Sequence, residues 1–168
     1  KTMKVAFIAR TTLHTVPGGD TVQVVQTARQ LNNLGVEVDI LLSKDEINYS
    51  EYDLLHFFNL VRPADILHHS KISKKPFVIS TILCTYGDYY KYNRNGLGAI
   101  FTHLPADGVE YLKTVARWVL GKDHLSSLDY LWKGQRKSII EILNRADVIL
   151  PNSESELKRV EDTYPNNA

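Results

Sequence analysis

The chain has 168 residues, 43% apolar and 23% charged, which is ordinary for a soluble globular protein and enough for one domain with a real core. Its formal net charge of +1 carries no general nucleic-acid signature, so no nucleic-acid partner is expected and any basic partner surface must be local. The single cysteine, Cys84, excludes an internal disulfide, and no apolar run reaches the ~18 residues of a spanning helix, so a cytoplasmic location, or a peripheral one at the inner face of a membrane, is expected.

Met3 to Ala9 (MKVAFIA) is short, apolar and rich in β-formers, as a central parallel strand buried on both faces would be. Pro17, Gly18 and Gly19 then stop regular structure. Asp20 with Gln23 three residues on reads as a capping-box-like start for a helix over Thr21 to Leu34, ended by Gly35 at positive φ. Val22, Val25, Ala28 and Leu31, with Val24 and Leu34 beside them, form the apolar stripe expected to pack on a sheet. Without Cβ atoms, Gly18 and Gly19 let a ligand approach the backbone, and the free N–H groups of a helix start favour a phosphate. A tight turn with no ligand is the other reading, since neither the G-x-G-x-x-G fingerprint nor a P-loop is present.

Further strands are expected over Val36 to Leu42, Tyr52 to Phe58, Phe77 to Ile82 and Ala146 to Pro151, with Ser43 to Ser50 a polar connection. Helices are expected over Arg62 to Lys71, begun by Pro63, and over Asp107 to Leu120, Leu128 to Asn144 and Glu154 to Asp162. The alternation predicts an α/β fold: a doubly wound, mainly parallel, Rossmann-like sheet with helices on both faces. Ligands of such sheets bind beyond the carboxyl ends of the strands. That rule nominates the loop from Thr11 to Asp20, His56 to Asn59, Thr81 to Tyr86, and Pro151 to Ser153.

Cys84 to Pro105 is a long loop rich in Tyr, Asn and Gly, and a loop of that length is usually functional or mobile. Its Tyr86, Tyr89, Tyr90 and Tyr92 could stack on a sugar or lipid acceptor or simply pin the loop to the surface. Between Lys113 and Lys137 six Lys or Arg stand against two Asp, a local net charge of +4 around Trp118 and Trp132. Contact with an anionic membrane is one reading of that stretch, and solvated helix faces with buried tryptophans is the favoured one. His56, His68, His69 and Cys84 match no standard zinc spacing.

Taken in order, M-K-V-A-F-I-A-R, P-G-G-D, the helix ending Leu34-Gly35-V-E-V, Y-D-L-L-H, K-P-F-V-I-S-T and A-D-V-I-L-P-N-S-E-S-E resemble the N-terminal domain of a GT-B type retaining glycosyltransferase, family 4-like. The resemblance covers nearly the whole chain. It implies one Rossmann-like half, residues 1–168, of a two-domain enzyme of glycan or glycolipid synthesis, with the donor-binding half and its paired glutamates lying outside this chain, which alone would be inactive. It further implies a nucleotide-sugar donor whose diphosphate approaches Gly18 and Gly19, a sugar or lipid-linked acceptor, and His56, Thr81, Tyr86 and Ser153 at the acceptor side or cleft edge. No cofactor and no metal are implied, and no catalytic residue is assigned. Many relatives carry a histidine where Leu83 stands, so His103 or Asp88 is a candidate substitute. The rivals are a non-enzymatic α/β module that binds a ligand or lipid acceptor, a receiver-like domain and a nucleotide-dependent oxidoreductase. The last two lack the acidic residues their chemistry needs: Arg10 and Thr11 follow the first strand, and Leu42-Ser43 ends the second.

Overall fold

The computed structural model of the protein describes residues 2–83, 106–121, 127 and 129–165. Five strands, β1 (Lys4–Ala9), β2 (Glu37–Leu42), β3 (Leu54–Phe58), β4 (Phe77–Ser80) and β5 (Val148–Leu150), form one sheet in the order β2-β1-β3-β4-β5. Every neighbouring pair is parallel, with Phe7 opposite Ile40 and His56, and Phe57 opposite Ile79. Helices α1 (Gly19–Asn33), α2 (Pro63–Ser73), α3 (Ala106–Val119), α4 (Asp129–Arg145) and α5 (Glu154–Thr163) complete the α/β, doubly wound architecture. Tyr86 and the rest of the Cys84 to Pro105 stretch, Asp88 and His103 included, lie outside the described residues.

The apolar run of β1 is explained by its two faces. Val5, Phe7 and Ala9 point to the layer under α1, with Val24, Ala28 and Phe58. Ala6 and Ile8 point to the opposite layer, where Leu55, Phe57, Phe77 and Ile79 meet Ile66 and Leu67 of α2, Ile139, Ile142 and Leu143 of α4, and Val160 of α5. A strand with no solvent face has no reason to alternate.

Four local expectations are corrected. Gly18, not Asp20, caps α1; its N–H donates to Thr21 Oγ1 at 3.0 Å, and Asp20 lies inside the first turn. The buried stripe of α1 is Val24, Ala28 and the half-buried Leu31, while Val22 is 63% exposed and Val25 and Leu34 are exposed too. Both sets fit a helical period, and the one that meets Phe7 and Phe58 is the one that packs. β4 stops at Ser80 because Ile82 takes a left-handed φ of 44°. The tryptophans are not buried: Trp118 is 40% and Trp132 is 92% exposed. At the far end of α1, Gly35 does adopt positive φ, 84°, and the N–H groups of Gly35 and Val36 return to the carbonyls of Asn32 and Leu31, a Schellman ending.

Candidate functional site

In a parallel sheet every strand runs into the same edge, so the loops after β1, β3, β4 and β5 and the starts of α1, α2 and α5 share one rim. The loop after β1 is built around Arg10. Its Nε and Nη2 grip Asp20 at 2.5 and 3.0 Å, Nη1 donates to the carbonyl and hydroxyl of Thr12 at 2.9 and 2.7 Å, and Nη2 also reaches the Val16 carbonyl at 2.7 Å. The planar guanidinium can hold all these acceptors at once, which an ammonium could not. The bonds and charge of Arg10 hold the Asp20 carboxyl below its usual range, although burial opposes this. Asp20 therefore presents no uncompensated charge to the start of α1.

Gly18 and Gly19 are exposed on that start. The φ of Gly18 is −145°, extended backbone open to any residue, and a Cβ there would lie 3.1 Å from Asp20 Oδ1. A Cβ on Gly19 would meet nothing within 4 Å. Neither backbone conformation nor internal packing asks for glycine at position 19. The Gly18 N–H is taken by Thr21 Oγ1 and the Thr21 N–H by Asp20 Oδ1 at 2.9 Å, and the turn, with the N–H groups of Gly19 and Asp20 between them, carries the positive end of the α1 dipole.

Across the rim, Ser153 caps α5, its Oγ accepting the Glu156 N–H at 3.2 Å. Asn152 beside it accepts from Gln23 Nε2 at 2.8 Å, so the first turns of α1 and α5 are tied to each other. Glu156 is the residue that sequence reasoning passed over. It is 4% exposed; Oε1 accepts the Thr81 hydroxyl and the Leu83 N–H, the latter at 2.7 Å, and Oε2 accepts the Asn152 N–H at 2.9 Å. The two bonds to Oε1 bracket Ile82, whose left-handed backbone is rare for a β-branched side chain. Asn59, at φ 72°, makes the equivalent bend after β3, its Oδ1 accepting the Val61 N–H at 3.1 Å. The S-x-x-E spacing from Ser153 to Glu156 is a capping-box signal that could have drawn attention to Glu156.

The predicted residues thus separate. Gly18, Gly19 and Ser153 are exposed at helix starts on the rim, and Thr81 is fully buried against Glu156. His56 lies inside β3, stacked on Phe58 at 4.2 Å and edge-on to Phe7 at 4.7 Å, with Nε2 2.9 Å from Ser80 Oγ. Burial pushes its pKa down to about 4, so the ring is neutral near pH 7. Leu83 supplies its backbone N–H to Glu156 and its side chain to the core. Among the described residues, no three His, Cys, Asp or Glu side chains are grouped to hold a metal. Comparison of the sequence with family models and with curated proteins found no match.

Proposed function

We propose that this chain is the acceptor-side domain of a retaining GT-B type glycosyltransferase, which moves a sugar from a nucleotide diphosphate donor to a hydroxyl acceptor. The observation that supports the reading best is Gly19, a glycine that the fold itself does not require, at the positive end of α1 on the ligand edge of the sheet. A residue without a side chain is useful there if something outside the chain must come close. The diphosphate would meet the N–H groups of Gly19 and Asp20, whose dipoles stabilise the charge that develops on the leaving group. Arg10 would contribute indirectly, since its donors already hold Asp20, Thr12 and Val16 in place. The acceptor would lie along the rim formed by Asn59, the Thr81 to Leu83 bend and Ser153. A neutral, buried His56 is compatible with retention, which in this class of enzyme needs no strong protein base.

The test is a screen of UDP- and GDP-sugars for hydrolysis and transfer by the full-length gene product, with Gly19→Trp beside it. Because the space at Gly19 is open, the variant should keep its circular dichroism and unfolding midpoint while turnover falls by about tenfold or more. Unchanged turnover in Gly19→Trp would move the donor away from this turn. If the full-length product turns over no donor and binds none by calorimetry, the enzyme reading fails and the non-enzymatic binding module takes its place.

A further inference from the structure

We propose that Ile82 is a specificity-determining residue of the acceptor side, its side chain held at the rim as an apolar wall for the carbon skeleton that carries the accepting hydroxyl; the inference rests on the transferase reading of the same rim. The starting observation is a backbone conformation without a local cause. Three non-glycine residues among those described have positive φ: Asn59 at 72°, Lys74 at 52° and Ile82 at 44°. Lys74 sits at the end of α2, where a left-handed residue ordinarily stops a helix. Asn59 is of a type that visits this region readily. Neither explanation applies to Ile82. A β-branched side chain is crowded there, and a glycine would make the same bend without strain.

The fold keeps Ile82 in this conformation with a buried carboxylate. Glu156, 4% exposed, accepts the Thr81 hydroxyl and the Leu83 N–H on one oxygen, the latter at 2.7 Å, so the residues on either side of Ile82 are fixed from within. Backbone bonds fix the approach to the bend: the Asn59 and Leu60 N–H groups donate to the Ser80 and Thr81 carbonyls at 3.0 and 2.9 Å, and the Thr81 N–H to the Leu150 carbonyl at 3.3 Å. The bend sends two neighbouring side chains to different places. Leu83 enters the layer that holds Leu55, Ile79 and Ile139, whereas Ile82 lies against the layer of Phe7 and Phe58 and stays half-buried beyond the carboxyl end of β4. A glycine would serve the path of the chain; what it would lack is a branched aliphatic surface at the ligand edge. Strained residues persist only where their surroundings dictate them, and such places concentrate at binding sites. The other side chains of this rim, Asn59 and Ser153, are polar. An aliphatic wall beside hydrogen-bonding groups fits a ligand with C–H surface next to a hydroxyl, as a hexose ring or an alkyl-linked sugar presents, and disfavours a charged group against it.

The full-length gene product is assayed with methyl and octyl hexosides as acceptors and with the donor that the screen of UDP- and GDP-sugars selects, and Ile82→Asn and Ile82→Gly are compared with the parent. Both substitutions relax the backbone while removing the wall. The unfolding midpoint should therefore stay close to that of the parent, while the acceptor KM rises by about tenfold and the donor KM by much less. An equal rise in both KM values, or an unchanged acceptor KM, would overturn the proposal. A second readout needs neither turnover nor a folded variant: the Ile82 methyl resonances of the parent should shift when methyl or octyl hexoside is added without donor. The two readouts separate this proposal from the reading beneath it. Transfer by a parent whose Ile82 methyls do not respond to the acceptor keeps the transferase and removes the wall. Methyls that respond in a protein that transfers no sugar remove the transferase and leave the wall to a binding module. Absence of both removes both.

Discussion

Glu156 has lost nearly all contact with water and remains ionised. Burial alone would raise its carboxyl, but bonds from the Thr81 hydroxyl and the N–H groups of Leu83 and Asn152 outweigh that, and its pKa lies below the usual carboxylate range. The same bonds hold Ile82 in a conformation that costs about 1–3 kcal/mol and survives only where neighbours dictate it. Glu156→Ala should lower stability by about 3 kcal/mol, because two backbone donors are left unmatched. Glu156→Gln should cost about half as much, since the amide keeps one oxygen but turns an NH2 toward a donor. Urea unfolding followed by circular dichroism checks both, and a Glu156→Ala protein as stable as the parent would remove the clamp from this account. The spacing to Ser153 was legible in the sequence, yet the partners were not. A local capping box would return Glu156 to the cap's own N–H, whereas Thr81 and Leu83 lie 75 and 73 residues away.

At the scale of elements, α4 carries a break that its sequence marks only by a glycine. Gly134 has φ 70° and interrupts the helix, so Tyr130 and Gln135 come together across it, the tyrosine hydroxyl donating to Gln135 Oε1 at 2.5 Å, while Gln135 Nε2 donates to the Val61 carbonyl at 2.9 Å. Ser138 shows the consequence. Its hydroxyl is buried with no partner among the described residues, and the carbonyl four residues back, which a helical serine ordinarily uses, belongs to the interrupted position. Two substitutions four residues apart should therefore act in opposite directions. Gly134→Ala should destabilise by about 1–2 kcal/mol by forcing a Cβ into the left-handed region. Ser138→Ala should be neutral or stabilising by up to about 1 kcal/mol, since it removes an unmatched hydroxyl. Thermal unfolding of the two variants beside the parent decides it, and a large loss from Ser138→Ala would mean that the hydroxyl has a partner after all. α1 teaches a related lesson. Val22, Val24 and Val25 allow two phases of the same helix, and only contact with Phe7 and Phe58 selects the one that buries Val24.

For the whole molecule, acid stability should decline in two stages. His56 and His69 are both held neutral by burial, His56 with a pKa of about 4. An unfolded chain takes up these protons near pH ~6.5, so between about 6.5 and 4 the unfolded state binds more protons and stability falls as pH falls, by about 3 kcal/mol for His56. Below that window the carboxyls of Asp20 and Glu156, both lower in the fold than in the unfolded chain, add a second loss as the unfolded chain takes up their protons first. Urea midpoints from pH 8 to 3 read both stages, and the His56 ring resonance should stay flat down to about pH 5. A His56 that titrates near 6.5 would contradict its placement beneath α1. The sequence by itself determined what neighbouring residues dictate: the apolar strands, the left-handed stop at Gly35, the proline start of α2 and, from their alternation, a parallel α/β sheet. The tertiary structure alone decided the order of the strands, the phase of α1, the exposure of Trp132, the cap that Ser153 makes on α5 and the partners of Glu156. Those depend on which distant segments meet, and local spacing carries no information about contacts made dozens of residues away.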